Sequence, residues 1–298
     1  MASNRKKILI TGAAGLLGRE LCKQLCADND ITAVDNNQRF PDFTPQGVTY
    51  IKSEVVEYLN NTANTFDIIY HMAAINGTAS FYSNPNQVLR NNTMLDLTMF
   101  AFAETNPACK LIYASSSEVV AGARVFPTPA TTDIEIKNIH NARWSYRLPK
   151  ILSENYLFNS DIDFLAVRFF NVYSEHTGTG HFLKDIAEKV KRKEFDLIGA
   201  NETRCFCYVS DAIDALINVS HVSNIVINIG SDEEMKIEHA ADIVASALGE
   251  SFVPWNKKLS LPGSSQWRRP DLSVLRHFYP AFNPMPFAQA IDKIKDLL

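Results

Sequence analysis

The stretch that most restricts the fold is Lys7 to Gly18, KILITGAAGLLG. Ile8, Leu9 and Ile10 form an apolar run with no polar break, which reads as a strand buried on both faces of a parallel sheet. The run enters Gly12, Gly15 and Gly18, and a helical apolar pattern starts inside the turn at Leu16, Leu17, Leu21 and Leu25. Strand, glycine turn and helix together make a phosphate-binding unit. The glycines admit a pyrophosphate close to the backbone, and the helix start offers free N–H groups. A glycine-rich turn alone is weak evidence, but a second strand, Ile31 to Val34, ends in Asp35. A carboxylate there is placed to bond a ribose diol, and it favours NAD over NADP, whose extra phosphate it would repel.

The length of 298 residues suits one large domain or two closely packed ones. A formal net charge of −4 supplies no global attraction to nucleic acid or to an anionic membrane, so phosphate binding has to come from local groups. No apolar run approaches the roughly 20 residues of a membrane span. The basic start, MASNRKK, leads into a strand and not a signal peptide, which predicts a cytoplasmic protein. Cys22, Cys26, Cys109, Cys205 and Cys207 are odd in number and lack a framework pattern, against a secreted disulfide fold. No histidine cluster joins them at metal-ligand spacing, so no metal is expected.

Strands and helices alternate through the first half. Val48 to Ile51 and Phe66 to Met72 read as strands, the latter ending in small residues Ala73 and Ala74 that leave room for a flat cofactor. A helix is predicted from Asn84-Pro85, with Asn84 as its cap, to just before Pro107. Lys110 to Ala114 is a strand, Trp144 to Phe158 a helix, and Asp163 to Phe170 a strand ending in Asn171. This alternation predicts an α/β fold, a Rossmann-type doubly wound parallel sheet with ligands at the C-terminal strand ends. The second half is less regular. It reads as a smaller α/β lobe over 173–298 that binds substrate, with some segments returning to the sheet, beside an NAD-binding domain over 1–172.

Tyr146 and Lys150 are four residues apart and share a helix face. An ammonium ion beside a phenol stabilises the phenolate, which can then take a proton from a substrate hydroxyl. Ser116, at the end of its strand, is placed to hold the same oxygen. Asn92 lies in the helix before it. An amphipathic surface pair would also satisfy the spacing, but a serine strand end and a dinucleotide loop precede it.

With these residues together, the chain resembles the extended short-chain dehydrogenase/reductases of the NAD-dependent nucleotide-sugar epimerase/dehydratase family. The matching stretches are TGAAGLLG (11–18), Asp35, YHMAA (70–74), Asn92, IYASSSEV (112–119), YRLPK (146–150), VRFFNVY (167–173), Arg204 to Asp211, NIGS (228–231) and RRPD (268–271). The resemblance implies Tyr146 as general base, Lys150 as its partner and Ser116 as the orienting hydroxyl, with Ser117 the neighbour that a one-residue shift would select. It implies NAD contacts from Gly12, Gly15, Leu16, Leu17, Gly18, Asp35, Asn36, Glu54, Val55, Met72, Ala73, Ala74, Asn92, Tyr146, Lys150 and Phe170. Asn76, Gly77, Ser117, Asn171, Arg204 and Arg268 are implied to meet a nucleotide-sugar substrate. It also implies a homodimer paired through the helix before Asn106 and the Tyr146 helix, with Leu95, Met99, Phe102, Leu152 and Tyr156 as candidate contacts.

Several positions depart from the pattern. Val120-Ala121 replace the usual Tyr-Gly, Ser174-Glu175 replace Gly-Pro, and Glu54-Val55 replace Asp-Val. Glu118 falls where dehydratases and uronate decarboxylases of the family carry an acid/base glutamate, while Ser117 replaces the preceding dehydratase aspartate. Ser116 to Glu118, Arg143-Trp144 and Arg268 resemble decarboxylases. The loop Ala73 to Thr78 is nearer the epimerase form, which implies an epimerase acting through transient oxidation at C4, with a decarboxylase or dehydratase as the alternative. A reading from another class is a non-catalytic dinucleotide-binding or regulatory protein, since fold does not fix function. Intact Ser116, Tyr146 and Lys150 argue against it.

Overall fold

The computed structural model describes residues 5–178 and 180–298. In chain order the first elements are β1 (Lys7–Thr11), α1 (Leu16–Leu25), β2 (Asp30–Asp35), β3 (Thr49–Lys52), α2 (Val55–Asn61), β4 (Ile68–His71), α3 (Thr78–Ser83), α4 (Pro85–Glu104), β5 (Lys110–Ser116), α5 (Trp144–Phe158) and β6 (Phe164–Phe169). There follow β7 (Val172–Tyr173), α6 (Phe182–Arg192), β8 (Asp196–Ile198), β9 (Thr203–Cys205), β10 (Cys207–Tyr208), α7 (Val209–Val219) and β11 (Ile225–Ile229). The chain closes with β12 (Glu234–Lys236), α8 (Ile237–Ala247), β13 (Asn256–Lys258), α9 (Ser273–Phe278) and α10 (Phe287–Ile294).

Seven strands pair in the order β11-β6-β5-β4-β1-β2-β3, and every pair is parallel. The strand order reverses beside β1, which opens a crevice at the carboxyl ends of β1 and β4, the position where such sheets bind ligands. Alternation along β1 explains its unbroken apolar run. Ile8 and Ile10 pack with Leu21, Ile213 and Leu216 on one face, while Leu9 packs with Val34, Met99 and Phe100 on the other. Both faces are covered by helices, so neither tolerates a polar residue. The strand β11 comes from the second half of the chain and adds to the sheet edge beside β6.

Some local expectations are corrected. Asn84 occupies the cap position of α4, but its side chain makes no cap bond and turns to the Ser83 hydroxyl at 3.2 Å. In the second half, β9 and β10 are two short strands separated at Phe206. No helix of the described residues is long and apolar enough to cross a membrane.

Candidate active site

A groove of about 1060 Å³ runs along the carboxyl ends of the strands. Its floor at one end is the β1–α1 turn. Gly12 has φ +70°, and a Cβ there would lie 2.7 Å from the Ala73 nitrogen, so only glycine lets the turn press against the end of β4. A Cβ at Gly18 would lie 2.2 Å from the Gly12 carbonyl oxygen, which fixes how closely α1 starts behind β1. Gly15, Leu16 and Leu17 therefore present the bare start of a helix to the groove. Asp35 accepts the Ala14 N–H at 3.0 Å and the Asn37 N–H at 2.8 Å. Each carboxylate oxygen keeps a lone pair for a ribose hydroxyl. Asn36 donates to Glu54 at 3.0 Å, and Val55, Met72, Ala73, Ala74 and Asn92 complete this end. The helix start, the tight turn and the facing acid fit a dinucleotide.

Further along, Ser116 ends β5 and accepts the Glu118 N–H at 3.1 Å, which starts a short 3-10 turn. Tyr146 stacks on Phe81 with ring centroids 4.8 Å apart. Burial pushes the Tyr146 phenol well above its ordinary value, the charges of Glu118 and Asp96 add to this, and the Ser116 hydroxyl pulls it down. Lys150 lies one turn on and is completely enclosed, with Nζ 4.5 Å above the Tyr113 ring and 3.7 Å from Asp96. Asn92 bonds both backbone groups of Ile75, at 2.8 and 3.1 Å, and so pins the loop after β4.

The far end of the groove is built from arginines. Glu118 is buried and receives Arg143 at 2.5 and 2.9 Å, Arg147 at 2.8 Å and Arg268 at 2.8 Å. Burial opposes its charge, but these three guanidiniums hold the carboxylate ionised, well below the usual range. The Arg268 contact is made by Nη2 and lies off the hydrogen-bond axis, and its buried Nε has no acceptor. Desolvation lowers its pKa to about 10, opposed by Glu118 and reinforced by the neighbouring arginines. Arg204 pairs with Glu202 at 2.5 Å and bonds the Ser264 hydroxyl and the Ser265 carbonyl. Four buried arginines thus face two buried glutamates. Asn171, with φ +43°, points an unpaired Oδ1 into the same region.

Of the residues singled out from the sequence, the groove brings together Gly12, Gly15, Leu16, Leu17, Gly18, Asp35, Asn36, Glu54, Val55, Met72, Ala73, Ala74, Asn76, Gly77, Asn92, Ser116, Ser117, Glu118, Tyr146, Asn171, Arg204 and Arg268. Lys150 lies beneath the groove wall, and Phe170 does not line it. Strand alternation turns Phe169 into the groove and sends Phe170 into a cluster with Val119, Val120 and Ile151. Phe81, Asp96, Arg147 and Glu202 were not singled out. Asp96 had a readable signal, a charge four residues after Asn92 on the apolar face of a helix.

Residues 8–230 match the NAD dependent epimerase/dehydratase family. A UDP-N-acetyl-alpha-D-glucosaminuronate decarboxylase of Bacillus cytotoxicus is 28% identical over 299 residues, covering 91% of each chain. UDP-glucuronic acid decarboxylase 1 of Danio rerio is 28% identical over 90% of this chain and 67% of its own length. The structure of a UDP-N-acetylglucosamine 4-epimerase from Methanobrevibacter ruminantium M1, solved with UDP-N-acetylmuramic acid, superposes with a TM-score of 0.83 at 23% identity over 98% of both chains. That likeness extends the agreement in fold to the second half of the chain. The dinucleotide turn and the strand order agree with the family match, and the chain belongs to the NAD dependent epimerase/dehydratase family.

Proposed function

We propose that the protein is an NAD-dependent nucleotide-uronate decarboxylase. The observation that carries this reading is the excess of buried arginines beside Tyr146, four against two glutamates, with Arg268 Nε lacking an acceptor and its Nη2 meeting Glu118 only as an off-axis ion contact. Unpaired buried donors are costly unless a ligand meets them, and a guanidinium fork suits a carboxylate. The decarboxylase names of the two sequence relatives support the same choice.

In this reading Tyr146, neutral at rest, loses its proton to solvent as the Lys150 ammonium stabilises the phenolate, and the phenolate takes the proton of the C4 hydroxyl while Ser116 holds that oxygen in line. NAD, held by the β1–α1 turn and Asp35, would supply the hydride acceptor for C4 and the hydride for its later reduction. The C4 ketone makes the C6 acid a β-keto acid, whose C5–C6 bond breaks to release carbon dioxide and leaves the electron pair on an enolate. Tyr146 and Ser116 meet the enolate oxygen, C5 takes up a proton, and C4 is reduced again. Arg143 and Arg268 bind the carboxylate before it leaves, and Glu118 holds those two arginines in place. Arg204 and Asn171 are assigned to the nucleotide diphosphate side.

Epimerisation, the first choice from the sequence, is the second reading. Its support is the loop Ala73 to Thr78, which leads into α3 and sets Phe81 against Tyr146. Purified protein with NAD and either a UDP-uronate or a UDP-hexose separates the two: carbon dioxide release from the uronate supports decarboxylation, and a C4-inverted hexose supports epimerisation. In both readings residues 1–172 carry cofactor and chemistry, and 173–298 serve mainly the substrate. A homodimer through α4 and α5 completes the proposal. Met94, Leu152 and Phe158 are exposed on those helices, whereas Met99 is spent inside the chain. A light-scattering mass of one chain would count against it.

A further inference from the structure

Asp96 is a fully buried carboxylate in the middle of α4. Its Oδ2 accepts the Tyr113 hydroxyl at 2.6 Å and the Ser153 hydroxyl at 2.8 Å, and its Oδ1 lies 3.1 Å from His71 Nε2. The other imidazole nitrogen, Nδ1, lies 2.7 Å from the Thr11 hydroxyl. An ionised carboxylate only accepts, so the network assigns the hydrogen to Nε2 and leaves Nδ1 to accept from Thr11. Burial also keeps His71 neutral. The carboxylate therefore receives three neutral donors, and the cation nearest it is Lys150, 3.7 Å from Oδ2.

We propose that Asp96 is a positioning residue of the active site: it holds Lys150 as a cation beneath Tyr146, and is itself fixed by His71, Tyr113 and Ser153. A lysine enclosed on all sides loses its proton readily unless a counter-charge stands beside it. The groups packed round Lys150 leave Asp96 as that counter-charge. Tyr113 on β5 offers its ring face, and Tyr146 on α5 is neutral at rest. Glu154, on the same helix, is committed to Arg168 on β6 at 2.6 and 2.9 Å and also receives Ser115. Glu118 is held by three arginines. The chain of contacts runs from Thr11, the last residue of the strand before the glycine turn, through His71 and Asp96 to Lys150. It ties the ammonium to the same strand end that carries the cofactor cradle.

This inference rests on the proposed use of Tyr146 as base, but its first test needs no substrate. Protein labelled with 13Cε-lysine and loaded with NAD is titrated by NMR, with Lys150→Met identifying the Lys150 signal. In Asp96→Asn the Lys150 midpoint falls by at least about two pH units, roughly a hundredfold in its protonation equilibrium. Asp96→Thr, which removes the charge in a smaller volume, carries the same expectation. Melting and NAD titration identify which variants are folded. An unmoved Lys150 midpoint in a folded variant overturns the proposal. With a nucleotide uronate, single-turnover cofactor reduction falls about tenfold or more at unchanged KM, within the range of acid–base effects. The double variant Asp96→Asn with Lys150→Met is no slower than Lys150→Met alone, and additive losses would overturn the proposal. Absence of turnover in the unsubstituted protein would count against the proposed reaction, while the lysine titration still decides the role of Asp96.

Discussion

Glu118→Gln removes one negative charge from a site where Arg143, Arg147 and Arg268 converge on it. The amide keeps the shape but leaves the guanidiniums uncompensated in a buried place. Breaking a buried ion cluster in this way costs about 3–5 kcal/mol. Unfolding entropy of about 2.1 cal/mol/K per residue gives roughly 0.6 kcal/mol/K for this chain, so the melting temperature should fall by roughly 5–8 °C. Glu118 is held below the ordinary carboxylate range, so its contribution is complete above the unfolded value near 4.5 and fades only as pH falls through the lower folded value. The difference between the two proteins should therefore be full-sized at pH 7 and at pH 5.5. A nucleotide uronate at about a hundredfold excess over Kd adds roughly 2.7 kcal/mol. Because its carboxylate replaces the missing charge, it should raise the variant's melting temperature more than the original protein's, and a nucleotide hexose should not. Differential scanning calorimetry measures all of this. An unchanged melting temperature, or equal stabilisation by uronate and hexose, would refute the electrostatic account of the arginine cluster.

Three further outcomes follow from other parts of the groove. Tyr146→Phe should slow cofactor reduction by about 10²–10⁴ with NAD affinity unchanged, read by stopped-flow absorbance and calorimetric titration. Gly12→Ala places a methyl 2.7 Å from the Ala73 nitrogen at φ +70°, and should cost roughly 2–5 kcal/mol in stability together with weaker NAD binding, checked by melting and titration. Arg168→Met strips the partner from buried Glu154 and should destabilise by about 3–5 kcal/mol without changing KM, which separates a structural pair from the substrate arginines.

The parts of this molecule legible in the sequence were those governed by local period. The unbroken apolar run of β1, the glycines after it and the four-residue spacing of Tyr146 and Lys150 each name their element without reference to distant residues. The helix α5 begins and ends where its pattern predicted. What stayed hidden depends on convergence. Glu118, Arg147 and Arg268 come from three separate segments, and only the packing of β5, α5 and the chain after β13 makes them one cluster. The short helix α3 was missed because Phe81 is its one buried side chain, too little for a periodic signal. Phe170 was assigned to the cofactor from resemblance, where strand alternation would have chosen Phe169.

The central claim is that the arginine end of the groove receives a carboxylate that leaves as carbon dioxide. The most direct measurement is mass spectrometry of the product formed by the protein with NAD and UDP-glucuronate or UDP-N-acetylglucosaminuronate, with Tyr146→Phe as control. The account predicts a nucleotide pentose lighter by one carbon dioxide and absent from the control. A product of unchanged mass with C4 inverted would contradict it and assign the site to epimerisation.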